Sequence, residues 1–462
     1  MLNKQVVKDV LAAAMSTGGD FAEVYVEDRY NNAIEMVSGK VEKSLSGRDY
    51  GIGIRIFQGL NSVYTYTCEN GSAHLIGVAK KAAAAISGIP KFAGVDFAIT
   101  PDASKHAVKI LPSQVAKKNK IDLMRVGFNS AKSSSALIDQ VVVNYMDYTQ
   151  NVLVANTEGV FAEDQRTRTR YTVSAIANHD GKMQSGSINK GSGKGFELYD
   201  EIDVAWIGKE SARIALTMLD AKSSPSGKLP VVMDNKFGGV IFHEACGHGL
   251  EATSVAKGNS VFADKLGQKI ASDVVNAVDD GTVPNEWGSA NIDDEGTPTR
   301  RNVLIENGVL KGYMVDRLNA RRMDHEITGS SRRQSYKYAP TSRMTNTYIL
   351  NGKDKFEDMI RSIEYGLYAK YLGGGSVNTA TGEFNFAVEE AYIIKNGEIK
   401  EPVKGATLIG TGAEILNKIE MISDNFDSAE GMCGSVSGSI PAGLGQPALK
   451  VSEITVGGRE EI

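Results

Sequence analysis

The segment from His243 to His248, with the sequence HEACGH, holds the residues best suited to metal chemistry. Histidine nitrogens bind zinc, and a glutamate beside a ligand is placed to move a proton. In the familiar zinc-peptidase motif two histidines stand four residues apart and face one side of a helix. Here they stand five apart, so a regular α-helix would separate them by about 140°. If both histidines bind one metal ion, the helix must therefore widen locally into a π-type turn. Gly247 would allow the backbone to distort in this way.

A catalytic zinc ion takes three protein ligands and a water molecule, so a third ligand must come from elsewhere. Cys433, Glu251 and His325 are the candidates. Cys433 lies in a Gly- and Ser-rich stretch typical of an irregular functional loop, and a thiolate binds zinc well; the alternative is a buried, inert thiol. Glu251 follows His248 closely but comes after Gly249, and the alternative is a surface carboxylate. His325 lies in a charged run typical of solvated surface.

Three other functions compete with a metal-dependent hydrolase. An adaptor subunit with a degenerate site would lack His243, Glu244 or His248, but all three are present. A cysteine-dependent hydrolase would use Cys246 or Cys433 with a histidine, and it would survive a chelator but not a thiol reagent. A structural zinc protein has no need of a glutamate beside a ligand.

The composition restricts the class of protein further. The chain has 462 residues, 51 basic and 56 acidic side chains and a net charge of -5, so it offers no concentrated positive field for nucleic acid. No signal-peptide pattern and no apolar run long enough to span a membrane is evident in the sequence. Three scattered cysteines indicate a reducing compartment, and we expect a cytoplasmic protein without a membrane partner.

The hydrophobic periodicity predicts an α+β fold in two domains. In the N-terminal domain, residues 1–222, it predicts an antiparallel sheet and four helices, in sub-segments of about 1–110 and 111–222. The helices are expected over 3–17, 72–86, 117–133 and from 206 onward. A Gly-rich stretch that begins at residue 185 is expected to be an extended loop. The linker SSPSGK places the domain boundary near residue 223.

The C-terminal domain, residues 223–462, is predicted to be β-rich and to carry the metal-site helix. Two strand-like runs contain the Asn-Gly pairs 307–308 and 396–397, which favour hairpin turns. Helical stretches are expected near 354–370 and 404–420.

Four segments of this chain resemble the TldD/PmbA family of metallopeptidases. They are HEACGHGLEA at 243–252, DDEGTPTRRNVLIENGVLKGYM at 293–314, RRQSYKYAPTSRMTNTYI at 332–349 and GMCGSVSGSIPAGLGQP at 431–447. The family contains members that bear the histidine motif and partners that lack it. This chain is similar to the motif-bearing members, except that Cys246 stands where an aliphatic residue is expected.

The resemblance implies a zinc ion held by His243, His248 and Cys433, with Glu244 as the catalytic carboxylate. It also implies a cytoplasmic peptidase that hydrolyses unfolded or flexible peptides. The implied assembly is a homodimer or a heterodimer with a motif-lacking homologue.

Several further residues are weaker candidates for contact with a substrate. Tyr336, Tyr338 and Arg343 would be donors to an oxyanion, with strand packing and surface charge as the alternative. Glycines 373–375 would allow the backbone to approach an extended peptide, although a structural turn explains them equally well.

Overall fold

The computed structural model describes residues 1–378 and 380–458, and its architecture is α+β, as the sequence predicts. The helices are α1 (Lys4–Ala14), α2 (Ser72–Ala83), α3 (Lys117–Lys132), α4 (Val204–Leu219), α5 (Val240–Ala245), α6 (Ala252–Val255), α7 (Arg317–Met323), α8 (Phe356–Arg361) and α9 (Gly412–Asn417). Within the described ranges, no helix combines the length and apolar character needed to cross a bilayer.

The N-terminal half forms one antiparallel sheet with the strand order β3-β2-β1-β4-β5-β6. Its strands are β1 (Phe21–Val37), β2 (Lys40–Gln58), β3 (Asn61–Thr67), β4 (Ile138–Asn156), β5 (Phe161–His179) and β6 (Lys182–Ser192). The four helices expected from the sequence are α1 to α4. Side chains alternate between the two faces of each strand, so each face can have its own partner.

One face of this sheet packs against helices and the other against the C-terminal half. On the first face, Val24 of β1 packs in the same apolar cluster as Leu11 of α1. On the second face, Tyr25 packs with Ile292 and Tyr336 from the C-terminal half. The polar residues of β1 that alternate with Val24 are therefore buried between the two halves of the molecule.

The first half of the Gly-rich stretch predicted as a loop, up to Ser192, is instead part of the edge strand β6, which pairs with β5. Gly186 explains the difference. A Cβ added there would lie 2.3 Å from the carbonyl oxygen of Ser211 in α4. The glycines therefore allow a helix to approach the strand closely. In the sequence alone, glycines with this role cannot be distinguished from the glycines of a loop.

The C-terminal half contains two larger sheets and a short two-stranded ribbon. The strands are β7 (Lys222–Ser223), β8 (Gly227–Met233), β9 (Ala277–Asp280), β10 (Arg301–Glu306), β11 (Val309–Leu310), β12 (Ser331–Arg332), β13 (Thr341–Ser342), β14 (Asn346–Ile349), β15 (Tyr365–Val377), β16 (Glu383–Lys395), β17 (Glu398–Lys404), β18 (Thr407–Thr411), β19 (Ile419–Ile422), β20 (Asp427–Ser435), β21 (Gly438–Gln446) and β22 (Leu449–Gly457). The division of the chain near residue 223 stays a prediction.

In one sheet, the strands β15, β8, β22, β18 and β16 pair in that order, and β16 pairs back to β15, so these strands form a closed ring. The other sheet has the order β11-β10-β9-β14-β21-β20. One large apolar cluster joins residues of both sheets and includes Phe242 of α5 and Cys433 of β20. Helix α5 is thus held in the C-terminal core.

Both Asn-Gly pairs lie at hairpin turns, as predicted. Asn307 and Gly308 have φ values of 48° and 77°, and Asn396 and Gly397 have 53° and 74°, the left-handed region that such turns require. The helical stretches predicted near 354–370 and 404–420 are shorter than expected. Helix α8 ends before β15, and β18 comes before α9, because the apolar residues there pair as strands in the ring.

Candidate metal centre

Two short helical turns carry the histidine motif. Helix α5 holds His243 and Glu244 and ends at Ala245, and Cys246 leaves the helical region with φ -127° and ψ -47°. A 3-10 turn over 247–250 then carries His248. The predicted π-type turn is therefore wrong, because a break in the helix rather than a widened turn reorients the second histidine.

Gly247 allows this break to pack against the core. A Cβ on Gly247 would lie 2.1 Å from the sulfur of Met344, so a larger residue would push the turn away from its neighbour. The two imidazole rings then lie with centroids 5.2 Å apart and planes at 88°. The sequence HEACGH thus forms a corner with both histidines on its inner side.

Cys433 of β20 completes a buried group with these histidines. Candidate ligand atoms of His243, His248 and Cys433 all lie within 4.8 Å of one another. The Cys433 sulfur lies 3.4 Å from Nε2 of His248. The structure therefore brings together the three residues that the resemblance implies, although 185 residues of sequence separate the last two.

The geometry and chemistry of this group fit a zinc ion. In a tetrahedral site, a sulfur and a nitrogen bound to the same zinc lie about 3.5 Å apart, close to the observed sulfur-to-nitrogen distance. Nδ1 of His243 is buried and has no hydrogen-bond partner in the described part of the chain. Buried polar atoms rarely remain without a partner, so this nitrogen is consistent with a site shaped for an additional group.

The charges around the group also favour a cation. Burial alone would raise the pKa of the Cys433 thiol, but His243 and His248 hold it well below its ordinary value. Burial alone would lower the pKa of His248, but Glu251 and Cys433 hold it well above the usual range. An anionic sulfur beside two imidazoles is a donor set that a divalent metal ion can use.

Glu244 lies at the edge of this group with its carboxylate partly accessible. Its side chain is 20% exposed, and Oε2 lies 3.7 Å from Nε2 of His248. Burial raises the pKa of Glu244, and the neighbouring His243 and His248 offset only part of this effect. A carboxylate with a raised pKa beside a candidate ligand is placed to accept and release a proton.

Glu251 supports His248 and is not one of the three clustered ligands. Its Oε2 lies 3.2 Å from Nδ1 of His248, on the side of the ring opposite Cys433. Its Oε1 lies 3.7 Å from Nε of Arg343, and another nitrogen of Arg343 donates to the backbone carbonyl of Cys433. One buried pair of charges thus orients two candidate ligands. The three-residue spacing from His248 was the only signal of this role in the sequence.

The remaining candidates from the sequence lie elsewhere or have other partners. His325 contacts the carbonyl oxygen of Glu326 after α7. Tyr336 packs against Gly51 of the first sheet, where a Cβ would lie 2.2 Å from its ring. Tyr338 lies in a turn closed by the carbonyl of Ser335. In the described ranges, none of these residues hydrogen-bonds to the histidine and cysteine group.

The thiol of Cys246 is buried, and burial raises its pKa well above the usual value. This thiol is therefore held in its neutral form, in contrast to that of Cys433. The sequence alone could not separate the two cysteines, because both stand among small residues.

A cavity beside β20 includes the glycines singled out in the sequence. Its water-accessible volume is about 280 Å³, and Gly373, Gly374 and Met432 contribute to its walls. Strand β6 lies on one side and β20 on another, and each is the last strand of its sheet. Met432 directly precedes Cys433, so this cavity lies close to the candidate metal centre.

Three family models match consecutive parts of the chain. Residues 22–87 match domain 1 of the PmbA/TldA metallopeptidases, residues 110–219 match the central domain, and residues 226–458 match the C-terminal domain. The histidine motif and Cys433 both fall within the C-terminal match.

Individual relatives resemble the chain along its length. The metalloprotease TldD homologue of Haemophilus influenzae is 37% identical over 471 residues, which cover 99% of this chain and 97% of the relative. A zinc metalloprotease TldD homologue of Saccharolobus solfataricus is 32% identical over 263 residues, or 56% of this chain and 58% of the relative.

The fold is also similar to that of a solved structure. A Thermotoga maritima protein described as a candidate modulator of a DNA gyrase superposes with a TM-score of 0.82 at 21% identity. The match covers 98% of this chain and all of that one.

Proposed function

Because the chain belongs to the PmbA/TldD metallopeptidase family, we propose that it is a zinc-dependent peptidase with Glu244 as its general base. His243, His248 and Cys433 would hold the metal ion. The observation that carries this proposal is the convergence of three buried ligand atoms within 4.8 Å beside a partly accessible glutamate. The family relationship supports a metal-dependent peptidase, and the donor set supports zinc.

The choice of zinc follows from the ligand types. Two imidazoles and one thiolate suit zinc, whereas magnesium, calcium and manganese prefer oxygen ligands. The name of the relative from Saccharolobus solfataricus is consistent with this choice. Three protein ligands also leave one position open for water, as in other catalytic zinc sites.

Glu244 would carry the proton in each turnover. A bound zinc ion lowers the pKa of a water molecule and polarises the carbonyl of the peptide bond. Glu244 would accept a proton from the attacking water and donate it to the departing amine nitrogen. Glu251 keeps the His248 ring in place by accepting from Nδ1, so that Nε2 faces the centre. Burial raises the pKa of Glu244, which makes it a stronger base than an ordinary carboxylate.

We propose unfolded or flexible peptides as substrates. The cavity beside β20 has the edge strands β6 and β20 on two of its sides. Backbone groups on the edge of a sheet that have no partner can bind an extended peptide of almost any sequence. Gly373 and Gly374 add backbone without side chains to the same cavity. A cytoplasmic location and a dimer, with itself or with a motif-lacking homologue, stay predictions from the resemblance.

A cleavage assay with Glu244→Gln tests this function. We expect the wild type to cleave an unstructured peptide and Glu244→Gln to lose about 10²- to 10⁴-fold in kcat, since the variant keeps the shape but not the base. A chelator should abolish the wild-type activity, and added zinc should restore it.

The rival functions give different results in the same assay. Activity that survives the chelator but not a thiol reagent would support a cysteine-dependent hydrolase. Equal cleavage by wild type and Glu244→Gln would contradict the proposed base. No cleavage under any metal condition would favour an adaptor subunit.

A further inference from the structure

A second cavity lies between the two halves of the molecule and is lined mainly by arginines. Its water-accessible volume is about 60 Å³, enough for a few water molecules or one small ion. The charged residues in its wall are Arg29, Arg166, Arg168, Arg332, Arg333 and Asp294. This wall therefore carries five cationic groups and one carboxylate.

Two of these arginines have carboxylate partners. Arg166 lies 3.0 Å from Asp164 and 2.6 Å from Asp294. Arg333 lies 2.8 Å from Glu23 on strand β1. These pairs account for the charge of both guanidinium groups, and they hold the halves of the molecule together.

Arg168 and Arg332 have no such partner. In the part of the chain that the structure describes, no carboxylate oxygen lies within 4 Å of either guanidinium group. Arg168 donates to the backbone carbonyls of Trp287 and Ser289, and Arg332 donates to that of Met344. Carbonyl groups satisfy hydrogen bonds but do not neutralise a buried cation.

Burial makes the lack of counter-charge costly for both residues. Arg332 is 9% exposed and Arg168 is 5% exposed. Burial lowers the pKa of Arg168, and it lowers that of Arg332 to about 10. Both groups remain cationic at neutral pH, and the acids that act on them, Asp164 on Arg168 and Asp294 on Arg332, lie beyond ion-pair distance.

Arg29 adds a third cation at the rim of the cavity. Its guanidinium lies 3.7 Å from the centre of the Tyr148 ring, and its Nε donates to Asn31. Glu27 on the same strand is a further acid near Arg29, but burial raises its pKa to about 7, so it is only partly ionised at neutral pH. The cavity is cationic after these groups are counted.

We infer that this cavity is a binding site for a small oxyanion, a carboxylate or a phosphate, held by Arg332 and Arg168 with Arg29 at the rim. Guanidinium groups bind both anions through paired hydrogen bonds, and the absence of bulk water strengthens such bonds. The anion would supply the counter-charge that the protein lacks at this position.

The position of the cavity suggests a connection with peptide binding. Met432 and Ile440 form part of its wall, and Ile440 pairs directly with Cys433 across β20 and β21. Arg332 also donates to the backbone of Met344, whose sulfur lies against the turn that carries His248. A peptide carboxylate is therefore one source of the anion, and that source rests on the proposed peptidase function. A free anion such as phosphate is the other source, and that source does not depend on peptidase function.

Calorimetric titration of the full-length protein tests the site. We would titrate inorganic phosphate, and then an unstructured peptide as the free acid and as its C-terminal amide. The protein would carry Glu244→Gln so that the peptide stays intact. Arg332→Gln removes the buried cation. If that variant does not fold, Arg29→Gln, which removes a more exposed cation, takes its place. Arg48→Gln is the control, since Arg48 is an exposed arginine of the same sheet.

Two results would support the site and identify its ligand. Free acid that binds tighter than the amide, with the difference lost in Arg332→Gln or Arg29→Gln but kept in Arg48→Gln, assigns a peptide carboxylate. Phosphate affinity that falls about tenfold to a hundredfold in the same variants, with free acid and amide equal, assigns a free anion.

Binding is measured here without turnover, so a protein without peptidase activity would still reveal the anion site. If the wild type binds neither phosphate nor the free acid selectively, the cavity holds water only and the inference is wrong. Equal affinities in wild type and both cavity variants would also overturn it.

Discussion

Two groups of buried charges in the described part of the molecule differ in how their members are arranged. At the interface between the halves, Glu23 contacts both Arg55 and Arg333, and Arg55 also contacts Glu295. Each of these four charges has an opposite charge beside it. At the candidate metal centre, by contrast, ligand atoms of His243, His248 and Cys433 all lie within 4.8 Å of one another, as in a site for a shared ion.

This difference distinguishes buried charges that stabilise the fold from buried charges that could act on a ligand. Burial and perturbed pKa values occur in both groups, so neither feature alone identifies a functional site. Burial alone would raise the pKa of Glu23, but the neighbouring Arg55 and Arg333 lower it, as expected for a closed ion-pair network. The centre is distinguished by ligand atoms that converge on one point and by a partly accessible acid, Glu244.

Arg55→Met should produce the largest loss of stability, because it breaks the closed network. It would leave the buried carboxylates of Glu23 and Glu295 without a shared cation. Removing one partner of such a pair costs about 3–5 kcal/mol. Denaturant unfolding of the metal-free protein measures this loss. Arg48→Met, at an exposed pair with Asp28, should leave the unfolding free energy nearly unchanged, and an equal loss in both variants would contradict the comparison.

Glu27, which lies at the same interface, should make the free energy of unfolding depend on pH. Burial raises its pKa from 4.5 to about 7 in the folded protein, so the folded state keeps a proton that the unfolded chain releases between these values. The contribution of Glu27 to the unfolding free energy is complete below pH 4.5. It falls by about 3 kcal/mol as the pH rises through 7.

Glu27→Gln should remove this pH dependence, because glutamine can still accept from the backbone N–H of Tyr336 without a charge. Unfolding measured from pH 4.5 to 8 would show the wild type losing stability relative to the variant. Glu35→Gln, on the same strand but with a partly exposed side chain, is the control and should follow the wild type. Parallel curves for wild type and Glu27→Gln would contradict the assignment.

The regular elements were predictable from the sequence because local patterns determine them. Helices α1, α3 and α4 follow apolar spacing, and the turns at Asn307 and Asn396 follow from residues that tolerate positive φ. Strand β6 was not predicted, because its glycines serve a helix that packs on it from a later part of the chain.

The candidate site was predictable in its residue types but not in its geometry. The histidine motif alone indicates metal chemistry, yet spacing could not select Cys433 from a distant strand, and only the family resemblance did so. The break at Cys246 depends on packing against Met344, a contact with no local signal. Glu251 was a candidate ligand in the sequence, and its supporting role was not predicted because its partner Arg343 lies far away along the chain.

Glu251→Gln should weaken metal binding, and it also leaves the buried guanidinium of Arg343 without its carboxylate partner. It removes the charge that orients His248 but keeps the size of the side chain. Loss of such a supporting contact lowers metal affinity about 10- to 100-fold. Competition with a chromophoric chelator measures the affinity. Glu306→Gln, at an exposed position on β10, should bind metal as the wild type does, and unchanged affinity in Glu251→Gln would show that Glu251 does not position the ligand.

The most direct test of the central claim is the metal content of the purified protein and of two matched cysteine variants. Cys433 and Cys246 are both buried, but only the Cys433 sulfur lies beside a histidine nitrogen. The proposed centre predicts about one zinc ion per chain in the wild type and in Cys246→Ala, and a loss of zinc in Cys433→Ala. Full zinc content in Cys433→Ala, or a wild type that binds no metal, would contradict it.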